Sequence, residues 1–248
     1  MWGWAMSRTM SFYDLRDALA QPGCAVCRLK ADSANQFLDT LLWEHVNDPG
    51  TRRDIRRARG FCREHAWGLV RPGASLGVAL IMRDVLQSAL KLMASASFQA
   101  LPFLSLQRLH EALASKQPTS ATADLVARLG PQAMCPACKQ AKIMERIYLD
   151  TLLDALLGED GLLAAYESSD GLCLPHFRQA LTQVRSEAVF EALINAQRAI
   201  WERLATDLSE FIRKNDYRFR DEPLDEEGDA WLRAVAALAG SRPERGES

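Results

Sequence analysis

Apolar residues recur along this chain at three- and four-residue intervals, the period of helices buried on one face. The longest such run opens at Ser186 and continues to about Lys214. Its apolar positions are Val189, Phe190, Leu193, Ile194, Ile200, Trp201, Leu204, Leu208, Phe211 and Ile212. A second run spans Ser75 to about Ser97. Two more follow Cys-x-x-Cys pairs, from Ala25 to about His45 and from Pro136 to about Leu157. Pro136 suits a first helical turn, where its missing N–H is not needed. A short helix is predicted at Ser11, with Asp14 three residues on, and another at Thr122. A last helix is predicted from about Asp225 to Ala239, followed by a frayed tail from Gly240. No segment alternates with the period of a strand, so the predicted fold is all-α.

The helical pattern is written twice. Cys24-Ala-Val-Cys27 is followed after 34 residues by Cys62-Arg-Glu-His65. Cys135-Pro-Ala-Cys138 is followed after 34 residues by Cys173-Leu-Pro-His176. The offset is 111 throughout, without a gap. Phe37-Leu-Asp-Thr-Leu-Leu42 matches Tyr148-Leu-Asp-Thr-Leu-Leu153, Gly50 matches Gly161, Gly60 matches Gly171, and Ser75 matches Ser186. This self-similarity is a tandem duplication. The expected division is repeat 1 over 11–117, repeat 2 over 118–216, and a C-terminal strap, helix and tail over 217–248. The joint between the repeats falls at Pro118-Thr-Ser-Ala-Thr122.

All six cysteines fall within these motifs. Two ligands three residues apart at a helix start point at one ion, and two such pairs complete a four-coordinate shell. The expectation is that each repeat closes its own Cys3His site, one from Cys24, Cys27, Cys62 and His65, the other from Cys135, Cys138, Cys173 and His176. Two zinc ions per chain follow from that set. An iron–sulfur cluster is the alternative, since clusters also accept a histidine ligand. A thiol–disulfide pair accounts for the Cys-x-x-Cys elements but leaves the distant Cys-x-x-His elements unexplained. Helix N-termini and the neighbouring Arg28, Arg63 and Lys139 favour thiolates at these positions.

These motifs resemble an uncharacterised bacterial family with doubled Cys-x-x-Cys and Gly-x-Cys-x-x-His elements. The resemblance is carried by Gly60-Phe-Cys-Arg-Glu-His-Ala-Trp67, Cys135-Pro-Ala-Cys138 and Asn215-Asp-Tyr-Arg-Phe-Arg-Asp-Glu-Pro223, and it covers most of the chain. It supports the duplication and implies no activity.

Composition narrows the function classes. The chain has 248 residues, 48% apolar and 25% charged, with a formal net charge of -2. It has enough length for a substantial core, and no global field draws it to nucleic acid or acidic membranes. Its longest apolar stretches, such as Leu76–Met82, are too short to span a bilayer. The start of the chain lacks a signal-peptide pattern, and reduced, grouped cysteines fit the cytoplasm.

Three further features are candidates. Arg52, Arg53, Arg56 and Arg57 share a helix face that either binds a polyanion or is simply solvated. Repeat 2 has Leu163, Ala164, Glu167 and Ser168 there, so the metal scaffold does not require those arginines. Asp39 and Asp150 recur inside apolar helices, where each could orient a ligand histidine or make an ordinary polar contact. Tyr217-Arg-Phe-Arg220 reads as a strap across the helices rather than a base-stacking element. His45 and His110 stand outside any motif, and no catalytic constellation is apparent. The favoured expectation is a non-enzymatic zinc-bound adaptor for another macromolecule, protein or nucleic acid. The alternatives are a redox or metal sensor and an enzyme with a pocket between the repeats.

Overall fold

The computed structural model describes residues 9–96, 121–158, 160–219 and 221–241. His110, Pro118 to Ser120 of the expected joint, Arg220 of the strap and the tail beyond Ser241 lie outside the described residues. The described residues are helical, with no strand among them, and none of their helices is long and apolar enough to cross a membrane.

In chain order the helices are α1 (Met10–Leu19), α2 (Ala25–Thr40), α3 (Pro49–Arg57), α4 (Arg63–Gly68) and α5 (Ser75–Ala94), then α6 (Ala121–Leu129), α7 (Pro136–Asp154) and α8 (Leu163–Glu167), and finally α9 (Leu174–Leu181), α10 (Glu187–Lys214) and α11 (Ala230–Ala239). A π turn, Leu41–His45, extends α2, and a 3-10 turn, Glu226–Asp229, precedes α11. The long runs appear where the apolar spacing places them. The ends shift: α1 starts after Thr9 rather than Ser11, and the last helix begins with the 3-10 turn.

The chain forms two compact units, and they do not follow the repeat boundaries. One consists of Met1–Ser33 with Ala141–Ser248, the other of Ala34–Gln140. Each has its own apolar core. In the first, α1 buries Phe12, Leu15, Ala18 and Leu19 in a cluster that includes Leu149, Leu152, Leu156, Leu193 and Ile200. In the second, Leu38, Leu41 and Leu42 join Ile55, Leu69 and Ile81.

Buried polar bonds fix the turn before Cys173. Tyr166 is fully buried, and its hydroxyl donates to Gln197 Oε1. The Leu172 N–H donates to the same oxygen at 3.0 Å. Gly171 lies in the left-handed region at φ +69, and a Cβ there would meet the Gln197 amide at 2.9 Å. Only glycine satisfies both constraints. Its repeat partner Gly60 also has positive φ, at +96, and follows Arg59 at φ +56.

Beyond α10 the chain is held by charge. Lys214 pairs with Glu227 at 2.7 Å, and Arg233 of α11 pairs with Asp207 and Asp229. The strap is a local feature: Arg213 stacks over Phe219, while Tyr217 stays exposed.

Candidate metal centres

The four ligand pairs share one local structure. Cys62 and Cys173 are the N-caps of α4 and α9, with extended backbone. Their carbonyls accept from Ala66 and Phe177 at 2.8 Å. Cys24 and Cys135 likewise accept from Arg28 and Lys139, opening α2 and α7. The second ligand of each pair sits three residues on, in the first turn. Both donors therefore face the same way, beside the unpaired N–H groups that favour negative charge.

The structure corrects the expected pairing of these elements. Cys24 and Cys27 meet Cys173 and His176, whereas Cys62 and His65 meet Cys135 and Cys138. Each Cys-x-x-Cys of one repeat is completed by the Cys-x-x-His of the other, so neither repeat closes its own site. The reason lies in the helix lengths and the turns. From Ala25 to His45 the chain runs helically for about 30 Å at roughly 1.5 Å per residue. The following α3 has only nine residues and does not retrace that distance. Its end is held elsewhere: the Gln132 N–H donates to Arg57 O at 2.8 Å, and Arg59 donates through Nε to Arg128 O at 3.0 Å. These bonds tie the approach to Cys62 to the approach to Cys135. In the other unit, the Gly23 N–H donates to Asp170 Oδ2 at 2.6 Å, which joins the approaches to Cys24 and Cys173.

The donor atoms of each set all lie within 4.8 Å of one another. In the first site, His176 Nδ1 is 3.4 Å from Cys24 Sγ, 3.4 Å from Cys27 Sγ and 3.1 Å from Cys173 Sγ, and Cys27 and Cys173 are 3.7 Å apart. In the second, His65 Nδ1 is 3.1 Å from Cys62, 3.3 Å from Cys138 and 3.7 Å from Cys135, with Cys62 and Cys138 at 3.6 Å. A single tetrahedral ion with sulfur at about 2.3 Å and nitrogen at about 2.0 Å requires edges of about 3.7 Å between sulfurs and about 3.5 Å between sulfur and nitrogen. The edges given lie close to that shape, and no remaining edge exceeds 4.8 Å. The sulfurs are too far apart for disulfides, which need about 2.05 Å, and all six cysteines are free.

The two sites differ in their surroundings. Cys24, Cys173 and His176 are buried, while all four residues of the second set are half-exposed. His176 Nε2 donates to Glu145 Oε1 at 2.9 Å, and Lys30 Nζ donates to the same oxygen at 2.6 Å. This carboxylate orients the ring with Nδ1 toward the sulfurs, as supporting partners of metal-bound histidines do. The Ser241 N–H lies 3.5 Å from Cys27 Sγ, placing the end of the α11 segment over that sulfur.

Electrostatics follow the same division. Hydrogen bonds with Cys173 and Cys24 hold the Cys27 thiol well below its ordinary pKa, while bonds with Cys173 and Cys27, together with burial, push Cys24 up. Burial opposes a charged His176, but the sulfurs of Cys173 and Cys27 outweigh it and raise the ring to about 10. Burial also opposes ionised Glu145, yet Lys30 and His176 bring its pKa down. In the second site, burial lowers His65, and burial followed by Cys62 raises Cys138 to about 12.

The other sequence candidates fall outside these centres. Asp39 pairs with Arg71, and Asp150 lies 3.8 Å from Arg146 on its own helix. Glu145, rather than either aspartate, reaches a candidate ligand histidine. The signal for it was present in the repeat alignment: Lys30 and Glu145 both stand where the other repeat has alanine, Ala141 and Ala34. The arginine face also divides. Arg56 pairs with Asp84 of α5 at 2.6 Å and Arg52 donates to Leu80 O, while Arg53 and Arg57 are exposed. Two of the four thus fasten α3 to α5.

A cavity of about 650 Å³ in the first unit reaches Cys24 and Cys173. Most of its charged lining is already engaged, with Arg233 on Asp207 and Asp229, Asp170 on Gly23, and Arg203 on Glu167 O.

Fold and sites together define an all-helical protein with two Cys3His groups able to hold metal ions. The chain belongs to the family of unknown function DUF6062, which it matches over residues 6–245. It is also similar to an uncharacterised 23.9 kDa protein in the xynA 3' region of Caldicellulosiruptor sp. (strain Rt8B.4). The two are 26% identical over 220 residues, which covers 88% of this chain and 96% of the relative. No solved structure gave a significant match.

Proposed function

We propose that this protein is a zinc-stabilised helical scaffold that serves as an adaptor for another macromolecule. The observation that carries the reading is the closed donor set of each centre, three sulfurs and one imidazole nitrogen within 4.8 Å. Four protein ligands leave no open position for substrate, as is usual for structural zinc. An iron–sulfur cluster spreads its ligands over two or more irons, so such compact sets favour a single ion. Bound zinc would supply rigid cross-links between helix starts. Cys24 and Cys27 would be joined to Cys173 and His176, and Cys62 and His65 to Cys135 and Cys138.

Apolar side chains left at the surface support a protein partner. Leu86, Leu90 and Met93 line one stripe of α5, and Val235 and Leu238 stand out on α11. The test is elemental analysis of purified protein, followed by circular dichroism during chelation. The scaffold reading expects about two zinc ions per chain and loss of helix as they are removed. A chain that holds no metal, or keeps its fold and stability unchanged without it, would overturn the reading.

A second reading, a metal or redox sensor with releasable zinc, is favoured by one observation: every ligand of the Cys62 site is half-exposed.

A further inference from the structure

We infer that the two centres are unequal in function, and that the Cys62, His65, Cys135 and Cys138 site is an exchangeable metal site for thiophilic divalent cations, while the Cys24 site is a locked structural one. The inference rests on the two-site zinc reading and assigns the sensor-like behaviour to one site of the pair.

Three independent features separate the sites. The first is access. Three ligands of the Cys24 site are buried, and none of the Cys62 site is. A competing thiol or chelator must reach a ligand before it can displace one, so exposure sets the rate of exchange. The second is orientation. Lys30, Glu145 and His176 form a continuous hydrogen-bonded chain that holds the ring against rotation away from the sulfurs. At the repeat-equivalent positions stand Ala141 and Ala34, and alanine offers neither donor nor acceptor. Among the described residues His65 Nε2 has no hydrogen-bond partner, its contacts being those of Nδ1 with the sulfurs. Supporting partners of this kind are worth about 10–100-fold in metal affinity. The third is cover. Gly240 lies against Cys27 and Cys173, where an added Cβ would sit 3.5 and 3.9 Å from their sulfurs, and the Ser241 N–H is directed at Cys27. The end of α11 thereby shields the one half-exposed ligand of the buried site.

A duplicated site would ordinarily carry the same support in both copies. Here two charged residues on two different helices are replaced together by alanine, and the site that lacks them is also the more exposed one. That combination is what a site tuned for release requires: four ligands strong enough to capture an ion and, among the described residues, no orienting chain or cover to slow its departure.

The test uses the full-length chain loaded with two equivalents of zinc. The protein is exposed to excess chelator together with N-ethylmaleimide, and labelled cysteines are located by peptide mass spectrometry over time. Cys62, Cys135 and Cys138 should be modified first, with one equivalent of zinc released alongside, while Cys24, Cys27 and Cys173 stay protected. The two phases should differ by at least about 10-fold in rate. Glu145→Gln, which keeps the side-chain shape, should speed the slow phase and leave the fast one unchanged. Equal labelling of all six cysteines, or protection of the Cys62 set over the Cys24 set, overturns the inference while the two-site reading stands. A chain that takes up no zinc overturns both.

Discussion

Glu145 accepts hydrogen bonds from His176 Nε2 at 2.9 Å and from Lys30 Nζ at 2.6 Å, so a single carboxylate oxygen joins a ligand histidine to a lysine beside the opposite Cys-x-x-Cys. The arrangement stabilises the buried centre twice over, by aiming the ring and by satisfying its second nitrogen. Glu145→Ala should therefore lower zinc affinity at this site about 10–100-fold. Leaving the buried ring N–H unpaired should cost roughly 1–3 kcal/mol of stability. Competition titration with a zinc indicator and thermal denaturation of the same variant measure the two effects separately.

The crossed pairing makes a sharp prediction about double variants. Cys24→Ser and Cys173→Ser act on one site, so the pair together should lose one equivalent of metal, no more than either alone. Cys24→Ser with Cys62→Ser should lose both equivalents, although those residues belong to the same repeat. Pairing within repeats predicts the reverse. Metal content by elemental analysis decides between them.

Gln197 is a buried side chain whose loss should be felt at a distance from the surface. Its Oε1 accepts from the Tyr166 hydroxyl and the Leu172 N–H, and it packs over Gly171. Gln197→Ala strands the buried Tyr166 hydroxyl and leaves the Leu172 N–H only its longer 3.3 Å bond to the Tyr166 oxygen, which should destabilise the protein by roughly 1–3 kcal/mol. Chemical denaturation should show a clear drop in midpoint. The same change at the repeat-equivalent Leu86, an exposed side chain, should leave the unfolding free energy within about 0.5 kcal/mol of wild type.

The attachment of the last helix should depend on acid in a defined direction. The Lys214 ammonium, with the backbone N–H groups of Glu227 and Asp225, holds Glu227 at about 2, below its ordinary 4.5. A carboxyl whose folded pKa is lowered stabilises the fold fully above its unfolded value and loses that contribution as pH falls toward the folded one. Protease protection of α11 in wild type should thus exceed that of Glu227→Gln by a constant margin from pH 7 to about 5. Below that the margin should shrink. A margin that grows on acidification would contradict the assignment.

Much of this architecture was legible in the sequence, and the parts that were not have a common cause. Helix period and capping are local, so the extents of α5, α7 and α10 followed from Leu, Ile and Ser positions alone. The eight candidate ligands stood out equally, because three-residue spacing at a helix start is a local property. Which pair met which was not. The number of residues in the gap does not choose between the closures; the choice rests on the short return of the nine-residue α3 and on long-range bonds such as Gln132 to Arg57 and Gly23 to Asp170. Asp39 drew attention because it recurs, yet recurrence reports what the two copies share. The orienting carboxylate lies where they differ, at Glu145 and Ala34, and the contrast gains meaning only once the crossing is known. Arg56 was hidden in the same way, since its partner Asp84 lies on another helix.

The crossing also bears on where such a chain came from and how it is made. A protein carrying one copy of the pattern and keeping this pairing would have to borrow ligands from a second molecule, so its smallest finished form would be a pair of chains. Joining two copies end to end turns that pair into one molecule and removes its dependence on concentration. During synthesis the cluster that ends at Cys138 is complete well before the one that awaits His176, while Cys24 and Cys27 emerge early and go unmatched until the second half of the chain arrives. A ribosome stalled between Cys138 and Cys173 would release a product with one finished knot and two loose thiols, a ready mark for quality control.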